Sequence, residues 1–421
     1  MFVRRIKTLA MSNFLTSIHI NKIFHLENID ITIDEKEKKH LIITGKNGSG
    51  KTSLLIALVE FFQIIQDDKT LSFLDIESSL SHWKDALHSV NTDNASESVT
   101  LRVKENLKMY QHSYDKIFGQ INLEFNTLKS LSEKISSRFF LFAFYAANRK
   151  TEVNAPKNPE KPNLSPVKKI TDSKQNEFLK FLVDLKIQEA LARNENQLID
   201  ADKIKCWFDK FEELLAEIFE GSKVSLNFNY KDYSFTINQD GREFGFNQLS
   251  DGYSAIIDII ADLILKMQNP DSLTRAYEKE GIVLIDEIET HLHLELQRLI
   301  LPMLTRVFPN IQFIVTTHSP FVLNSIKNAV AFDLEKKERL EDLTEYSYEA
   351  LAEGYFEVKT ESFFLEAKLK RFKELVEKQD RDIAESSELK ELDEELSSLQ
   401  NESLAPQDVI GSYLKIKLTS K

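Results

Sequence analysis

Apolar and polar residues alternate through IHINKIFHLENIDITI (18–33), the period-two pattern of antiparallel strands with one buried face. A charged turn, DEKEKKH (34–40), then leads to a short apolar strand, LIITG (41–45), and a glycine-rich loop. An apolar-periodic helix follows from about 51 to 65. Between 66 and 145 helical and strand patterns mix, and INLEF (121–125) and FFLFAFYA (139–146) are the clearest strands. The segment APKNPEKPNLSPVKK (155–169) carries four prolines and is expected to be an extended, exposed loop. Two amphipathic helices come next, NEFLKFLVDLKIQEALAR (176–193) and ADKIKCWFDKFEELLAEIF (201–219). VSLNFNY (224–230) and YSFTINQDGREFGF (233–246) read as a hairpin with Asp240-Gly241 as its candidate turn.

From Leu249 the pattern changes. Helix SAIIDIIADLILKM, buried strand GIVLIDE, helix LHLELQRLILPMLTRV, buried strand QFIVTTH, helix SPFVLNSI and strand NAVAFDL succeed one another. Short apolar strands alternating with helices predict a parallel sheet covered on both faces. The C-terminal segment reads as helices with two short leucine-type stripes, Leu365, Leu369, Phe372, Val376 and Leu389, Leu392, Leu396, Leu399. Each covers about two heptads, too few for an independent coiled coil, so a helical hairpin packed on the body or on a partner is expected.

Composition narrows the function classes. No apolar run approaches the roughly 20 residues needed to span a bilayer, so no membrane partner is expected. The opening MFVRRIKTLAMSNFLTSIHI lacks an apolar segment long enough for a secretory signal. Cys206 stands alone, which excludes an intramolecular disulfide or a cysteine-built zinc site and fits the cytoplasm. Next to Trp207 on an amphipathic helix, it is expected in the core. The net charge is −13, which argues against a chain that coats nucleic acid throughout. Residues 380–402 hold nine acids and two bases, whereas 149–169 hold six bases and two acids, so a local DNA-binding face stays open.

Three motifs carry chemistry. Gly45-Lys46-Asn47-Gly48-Ser49-Gly50-Lys51-Thr52 is a complete G-x-x-x-x-G-K-[ST] between a strand and a helix. Its backbone N–H groups can wrap a triphosphate at a positive helix end, Lys51 can bridge the β- and γ-phosphates, and Thr52 can ligate Mg²⁺. The expected nucleotide-holding set extends to Ser53. Four apolar residues and two acids, Ile282 to Glu287, would place Asp286 as a Mg²⁺ ligand and Glu287 as the base that polarises the attacking water. Gln248-Leu249-Ser250-Asp251-Gly252-Tyr253-Ser254 opens a helix and would be a second anion site, although alone it would be no more than a helix cap.

In this order the motifs resemble the ATP-binding-cassette (ABC) ATPases, and most nearly their OLD-like and Rad50-like soluble branch. The likeness rests on the Walker A at 45–52, LSDGYS where the family has LSGGQ, the Walker B at 282–287, DEIETHLH, and His318 within FIVTTHSPFVLNS. It covers residues from about 16 to 335, with 66–245 matched only by position and pattern. The fold it implies is α/β: an ABC head with antiparallel N-terminal strands, a helical insertion and a C-terminal helical tail. The expected division is 1–150 with the Walker A, 151–245 as basic loop, helical insertion and hairpin, 246–335 with signature, Walker B and switch histidine, and 336–421 as a helical docking region.

The resemblance also implies ATP and Mg²⁺ as ligands and head-to-tail pairing into a homodimer or higher oligomer. Ser250 and Gly252 would face the partner protomer's γ-phosphate. Residues 289–293 would be the D-loop, and Lys51, Glu287 and His318 the catalytic residues. Asp251 replaces the first signature glycine and brings a negative charge near a phosphate. Asn148 and Arg149 stand where a Q-loop element belongs. His291 and His293 are explained as D-loop residues rather than zinc ligands. Long heptad arms are missing from the insertion, which sets DNA-bridging ATPases aside, and the roughly 100 residues after His318 leave no room for a Toprim nuclease. Asp380 and Asp382 read as a solvated face.

The chain therefore resembles the ATPase components of bacterial anti-phage systems. Examples are the Septu type with an HNH nuclease partner and the PARIS type with a Toprim partner, and YSYEALAEGYFEV (346–358) is similar to a stretch in such ATPases. The implied function is a slowly hydrolysing ATPase that regulates a separate nuclease, with DNA as a further candidate partner. A RecF-like DNA-repair ATPase is the alternative.

Overall fold

The computed structural model describes residues 12–68, 72–92, 96–148, 158–268, 279–340, 342–355, 363–378, 380–398 and 407–419. The chain divides into two compact units, Met1–Glu345 and Tyr346–Lys421.

The first unit is built on a six-stranded sheet. Its strands are β3 (His40–Thr44), β5 (Phe140–Tyr145), β9 (Glu280–Ile285), β10 (Ile311–Thr316), β11 (Ala329–Asp333) and β12 (Glu338–Leu340), in the spatial order β12-β11-β3-β10-β9-β5. All neighbours pair in parallel except β12, which returns antiparallel to β11. Every residue of β3 and β10 is buried. That explains why these strands are almost unbroken apolar runs: both faces of the sheet are covered. Parallel pairing also brings the carboxyl ends of β3, β5, β9, β10 and β11 to one edge of the sheet.

A second sheet, β2-β1-β4, is antiparallel, made of β1 (Leu15–Ile23), β2 (Leu26–Thr32) and β4 (Ile121–Phe125). The alternation in 18–33 is the register of this sheet, with Ile18 opposite Ile31 and Ile20 opposite Ile29. Helix α1 (Lys51–Asp67) lies in the core between the sheets. Its Leu54, Leu58, Phe61 and Phe62 share one apolar cluster with Ile18 and Ile20 of β1 and with Leu41 and Ile43 of β3. Burial of each such side chain contributes about 1.5–3 kcal/mol.

Between α1 and β4 the chain makes a helical hairpin, α2 (Asp75–Thr92) and α3 (Glu97–Phe118), joined across the pair by the stacked rings of Trp83 and Tyr110, 6.4 Å apart. Helix α4 (Leu128–Ser136) follows β4. The amphipathic pair predicted beyond the proline-rich loop is α5 (Phe178–Asn194) and α6 (Leu198–Ile218). The next segment holds one strand more than a hairpin: β6 (Val224–Asn229), β7 (Ser234–Gln239) and β8 (Arg242–Gly245) form a meander. Asp240 (φ 49°) and Gly241 (φ 87°) turn the chain between β7 and β8. Helices α7 (Asp251–Met267) and α8 (Leu294–Val307) cover the core sheet, and SPFVLNSI contracts to a single turn, α9 (Pro320–Leu323).

Cys206 corrects an expectation. It is exposed, because the buried stripe of α6 runs through Trp207, Phe208, Phe211, Leu214, Leu215 and Ile218 and turns residue 206 outward.

The second unit contains α10 (Tyr348–Gly354), α11 (Phe363–Glu377), α12 (Ile383–Ser398) and α13 (Gln407–Thr419). The leucine-type stripes pack on one another rather than standing free. Phe372, Leu375, Leu392, Leu396 and Tyr413 form a small core, with Leu365, Leu369, Val376 and Leu389 against it. Leu399 lies outside the described residues. Arg371 grips Glu388 bidentately at 2.7 and 2.9 Å, and the Tyr413 hydroxyl donates to Asp393 at 2.5 Å. Asp382 caps α12: its carboxylate accepts from Glu385 N–H at 2.7 Å while its own N–H reaches the Glu385 carboxylate.

Candidate nucleotide site

The loop Gly45–Thr52 joins β3 to α1 at the carboxyl edge of the core sheet. Three of its glycines have positive φ, Gly45 at 134°, Gly48 at 82° and Gly50 at 99°. At Gly50 a Cβ would also stand 2.8 Å from Leu26 Cδ1, so that buried side chain would have to shift to admit one. His25 Nε2 lies 3.2 Å from the Ser49 carbonyl, so the β1–β2 turn braces the loop from behind. The Ser49 hydroxyl is buried with no hydrogen-bond partner among the described residues, as is that of Thr44. Buried orphan hydroxyls, a glycine-shaped backbone and a helix start together fit a phosphate chain.

Lys51 is 6% exposed, and its ammonium donates to the carbonyls of Gly45 (2.8 Å) and Lys46 (3.1 Å). Burial lowers its pKa, while the charges of Glu287, Glu289, Asp286 and Asp333 oppose that shift. Lys46 pairs at the surface with Glu335, Nζ to Oε1 at 3.2 Å. Asn47, Gly48 and Thr52 are exposed, and Ser53 is half-buried on α1.

Opposite the loop, Thr52 Oγ1 donates to Asp286 Oδ2 at 2.9 Å. Asp286 directly follows β9 and is 5% exposed. Its other oxygen accepts from Thr316 Oγ1 at 2.6 Å, and the same hydroxyl accepts from Glu287 N–H at 2.7 Å. One buried threonine at the end of β10 therefore orients both acids. Glu287 has φ 43°, a left-handed conformation that is costly for a residue with a Cβ. Ile288 N–H donates to the Thr316 carbonyl at 3.1 Å and helps hold that bend.

The loop after β10 is tied to the segment that follows β9. Glu289 accepts from Thr317 Oγ1 at 2.7 Å and from His318 N–H at 2.5 Å. His318 is half-buried, and burial first, then Lys51, lowers its pKa below the ordinary imidazole range, so it is neutral near pH 7.

Ser250 is exposed at the N-cap of α7, and Asp251 is exposed beside it. Gly252 is buried, and a Cβ there would lie 2.8 Å from the His291 carbonyl oxygen. Residues 289–293 thus run from the loop after β10 to the first turn of α7. His293 pairs with Glu220 at 3.0 Å, and among the described residues no cluster of three metal-ligating side chains occurs. Asn148 follows β5, while Arg149 lies outside the described residues.

Sequence reasoning missed several of these parts. Thr316 and Thr317 were present as TTH, polar residues closing an apolar strand, and Glu289, expected in the D-loop, was not foreseen as the acceptor for Thr317 and His318. The buried Asp262 had no such signal. It accepts from the Tyr145 hydroxyl at 2.6 Å and pairs with Lys266 at 2.7 Å, linking the end of β5 to α7.

The family described as "AAA domain, putative AbiEii toxin, Type IV TA system" matches residues 41–324, from β3 through α9. The chain belongs to this family. Its topology and motif order are those of an ABC-type head: a parallel core sheet, an antiparallel sheet across α1, and a helical insertion before α7.

Shorter stretches are similar to curated proteins. One of 92 residues is 47% identical to "Septu protein PtuA" of Bacillus mycoides (strain KBAB4), covering 22% of this chain and 13% of that one. Another of 93 residues is 43% identical to "Retron Vc95 probable ATPase" of Vibrio cholerae serotype O1 biovar El Tor, covering 22% and 18%. A third, of 81 residues, is 51% identical to "Retron Ec83 probable ATPase" of Escherichia coli, covering 19% and 15%. The matched stretches thus span 13–18% of the length of these relatives.

Among solved structures, an SMC head bound to the C-winged helix domain of ScpA has a TM-score of 0.36 at 12% identity, covering 78% of this chain and 95% of that one. The SMC head domain from Thermotoga maritima has a TM-score of 0.33 at 14% identity, covering 75% and 94%. At such scores the fold assignment rests on the chain's own topology. No helix among the described residues is long and apolar enough to cross a membrane.

Proposed function

We propose that this chain is an ABC-type ATPase that binds ATP with Mg²⁺, hydrolyses it slowly, and regulates a separate nuclease effector in anti-phage defence in the bacterial cytoplasm. The observation that carries the reading is the convergence of Lys51, Thr52, Asp286, Glu287 and His318 at one edge of the core sheet. The names of the Septu and retron relatives support the biological setting.

The chemistry follows from the residues. The loop N–H groups and Lys51 bind and orient the triphosphate. Thr52 and Asp286 present hard oxygen donors 2.9 Å apart, a set that fits Mg²⁺. When bound, that ion neutralises charge on the transferring phosphoryl group. Glu287, its backbone fixed by Thr316, accepts a proton from the attacking water. Neutral His318 donates a hydrogen bond toward the γ-phosphate.

Two protomers pair head to tail, with Ser250 and Gly252 of one facing the nucleotide of the other. Residues 289–293 support this reading, since they tie the switch loop to the signature turn within one chain. Asp251, a carboxylate where the family has glycine, weakens closure and favours slow turnover, which suits a switch. The second unit docks an effector of HNH or Toprim type, and opening of the assembly releases it.

The test is co-purification of the full chain with the products of its neighbouring genes, with and without ATP. A stoichiometric nuclease, lost when residues 360–421 are deleted although ATP binding persists, is expected. A chain that captures no nuclease under either condition contradicts the effector reading.

A further inference from the structure

A buried charge cluster on α7 has no part in the proposed chemistry. Asp262 is fully buried, and the Lys266 side chain that pairs with it at 2.7 Å is 4% exposed. The same carboxylate accepts from the Tyr145 hydroxyl at 2.6 Å, from Ser173 Oγ at 3.2 Å and from Lys174 N–H at 2.5 Å. One side chain therefore gathers α7, the end of β5 and the segment before α5. That segment reaches further: the Ile170 carbonyl accepts from Phe144 N–H of β5 at 3.1 Å, and Ile170 N–H donates to Gln63 of α1 at 3.0 Å.

Stability alone does not account for this pair. Taking two charges out of water offsets most of their mutual attraction, and an apolar pair of similar size would hold the helix at least as well. Helix α7 has that apolar hold already, since Ile256, Ile259, Ile260, Leu263 and Ile264 are at most 1% exposed. What the carboxylate adds is direction. It fixes a phenol, a hydroxyl, a backbone N–H and an ammonium around one point, and a charged acceptor holds such donors about twice as firmly as a neutral one.

The phenol matters because of what its own backbone does. Tyr145 is the last residue of β5, and its carbonyl accepts from Asp286 N–H at 2.8 Å. Asp286 is thus held from both neighbouring strands: Thr316 of β10 orients its carboxylate at 2.6 Å, and Tyr145 of β5 fixes its backbone. Tyr145 is 8% exposed, so its hydroxyl is anchored out of water on Asp262. A carboxylate that ligates a metal depends on the groups that orient it, and loss of one such outer contact weakens metal binding by about 10- to 100-fold.

We infer that Asp262, kept in place by Lys266, is a positioning residue for the Mg²⁺ site, setting the backbone of Asp286 through Tyr145. The inference rests on the proposed reading of Asp286 as a Mg²⁺ donor.

The experiment measures binding of a fluorescent, non-hydrolysable ATP analogue to the full chain, in EDTA and across a Mg²⁺ titration, with urea unfolding alongside. Tyr145→Phe removes the hydroxyl and keeps the ring. It should raise the half-saturating Mg²⁺ concentration about 10-fold, while affinity for the analogue in EDTA stays within about two-fold of wild type. Asp262→Asn/Lys266→Met removes both charges together, so neither is left buried without its partner. The amide holds the phenol more weakly than the carboxylate does, and a smaller rise in the same direction is expected. Two results overturn the inference alone. One is wild-type Mg²⁺ dependence in Tyr145→Phe. The other is an equal loss of binding in EDTA and in Mg²⁺ together with a lower urea midpoint, the mark of a merely structural contact. Asp286→Asn tests the underlying reading: if wild-type binding does not respond to Mg²⁺, or if Asp286→Asn responds as wild type does, the proposed site falls and this inference with it.

Discussion

Thr316→Val removes the hydroxyl that orients both acidic residues of the site. Valine keeps the shape of threonine, and residue 316 is fully buried, so the change is chemical rather than steric. Two bonds are lost: the 2.6 Å donation to the Asp286 carboxylate and the 2.7 Å acceptance from Glu287 N–H. A hydrogen bond to a charged group contributes about 1.5–3 kcal/mol, and depriving a buried N–H of its acceptor costs about 1–3 kcal/mol. A loss of about 2.5–6 kcal/mol of stability follows. The catalytic effect is separate. Glu287 sits at φ 43° and this bond fixes its backbone, so its carboxylate shifts once the bond is gone. A displacement of about 1 Å at a reacting group costs up to about 10²-fold in rate. Urea unfolding and steady-state ATPase assays on Thr316→Val should therefore show the lower stability and a kcat reduced about 10- to 100-fold. KM should change little, because Lys51 and the loop are untouched. Thr316→Ser should recover most of both. A valine variant within 0.5 kcal/mol of wild-type stability, with wild-type kcat, would refute the reasoning.

Three further outcomes follow from the same geometry. Gly252→Ala places a Cβ 2.8 Å from the His291 carbonyl oxygen, a backbone atom that cannot swing aside, so calorimetry should show a loss of about 1–3 kcal/mol. Glu289→Ala frees Thr317 and His318 and should lower kcat about tenfold in ATPase assays with nucleotide affinity kept, while Glu289→Gln should lower it less. His40 is buried, with Nδ1 accepting from Phe313 N–H at 3.0 Å, and burial, reinforced by Lys38, pushes its pKa down to about 3. With a folded value below the unfolded one, the unfolded chain binds the proton first as pH falls below about 6.5. Stability should therefore drop by about 2 kcal/mol between pH 7.5 and 5 from this group, and His40→Asn should flatten that part of the profile in pH-dependent denaturation.

Much of this site was legible because its parts are local in sequence. The phosphate loop, the acids closing β9 and the histidine after β10 each sit at the end of an apolar run, and parallel pairing brings such ends together. What stayed hidden depends on contacts between distant segments. Thr316 reads as one more strand residue until β9 and β10 are paired, and only then does its hydroxyl lie between Asp286 and Glu287. Asp262 lies in a helix whose apolar pattern gives no hint that Tyr145, more than 100 positions earlier, supplies its hydrogen bond. Cys206 was misplaced because adjacency to a buried tryptophan was taken for burial, although neighbours on a helix point about 100° apart. The C-terminal stripes were read as a surface awaiting cover, and the third helix that helps bury them, carrying Tyr413, has a weak pattern of its own.

The most direct test of the central claim compares ATP binding and single-turnover hydrolysis in wild type, Glu287→Gln and Lys51→Ala. With Glu287 as the base, its glutamine variant should bind ATP as wild type does and turn over about 10²- to 10⁴-fold more slowly. Lys51→Ala should fail at binding. Wild-type turnover by Glu287→Gln, or undiminished ATP binding by Lys51→Ala, would contradict the account.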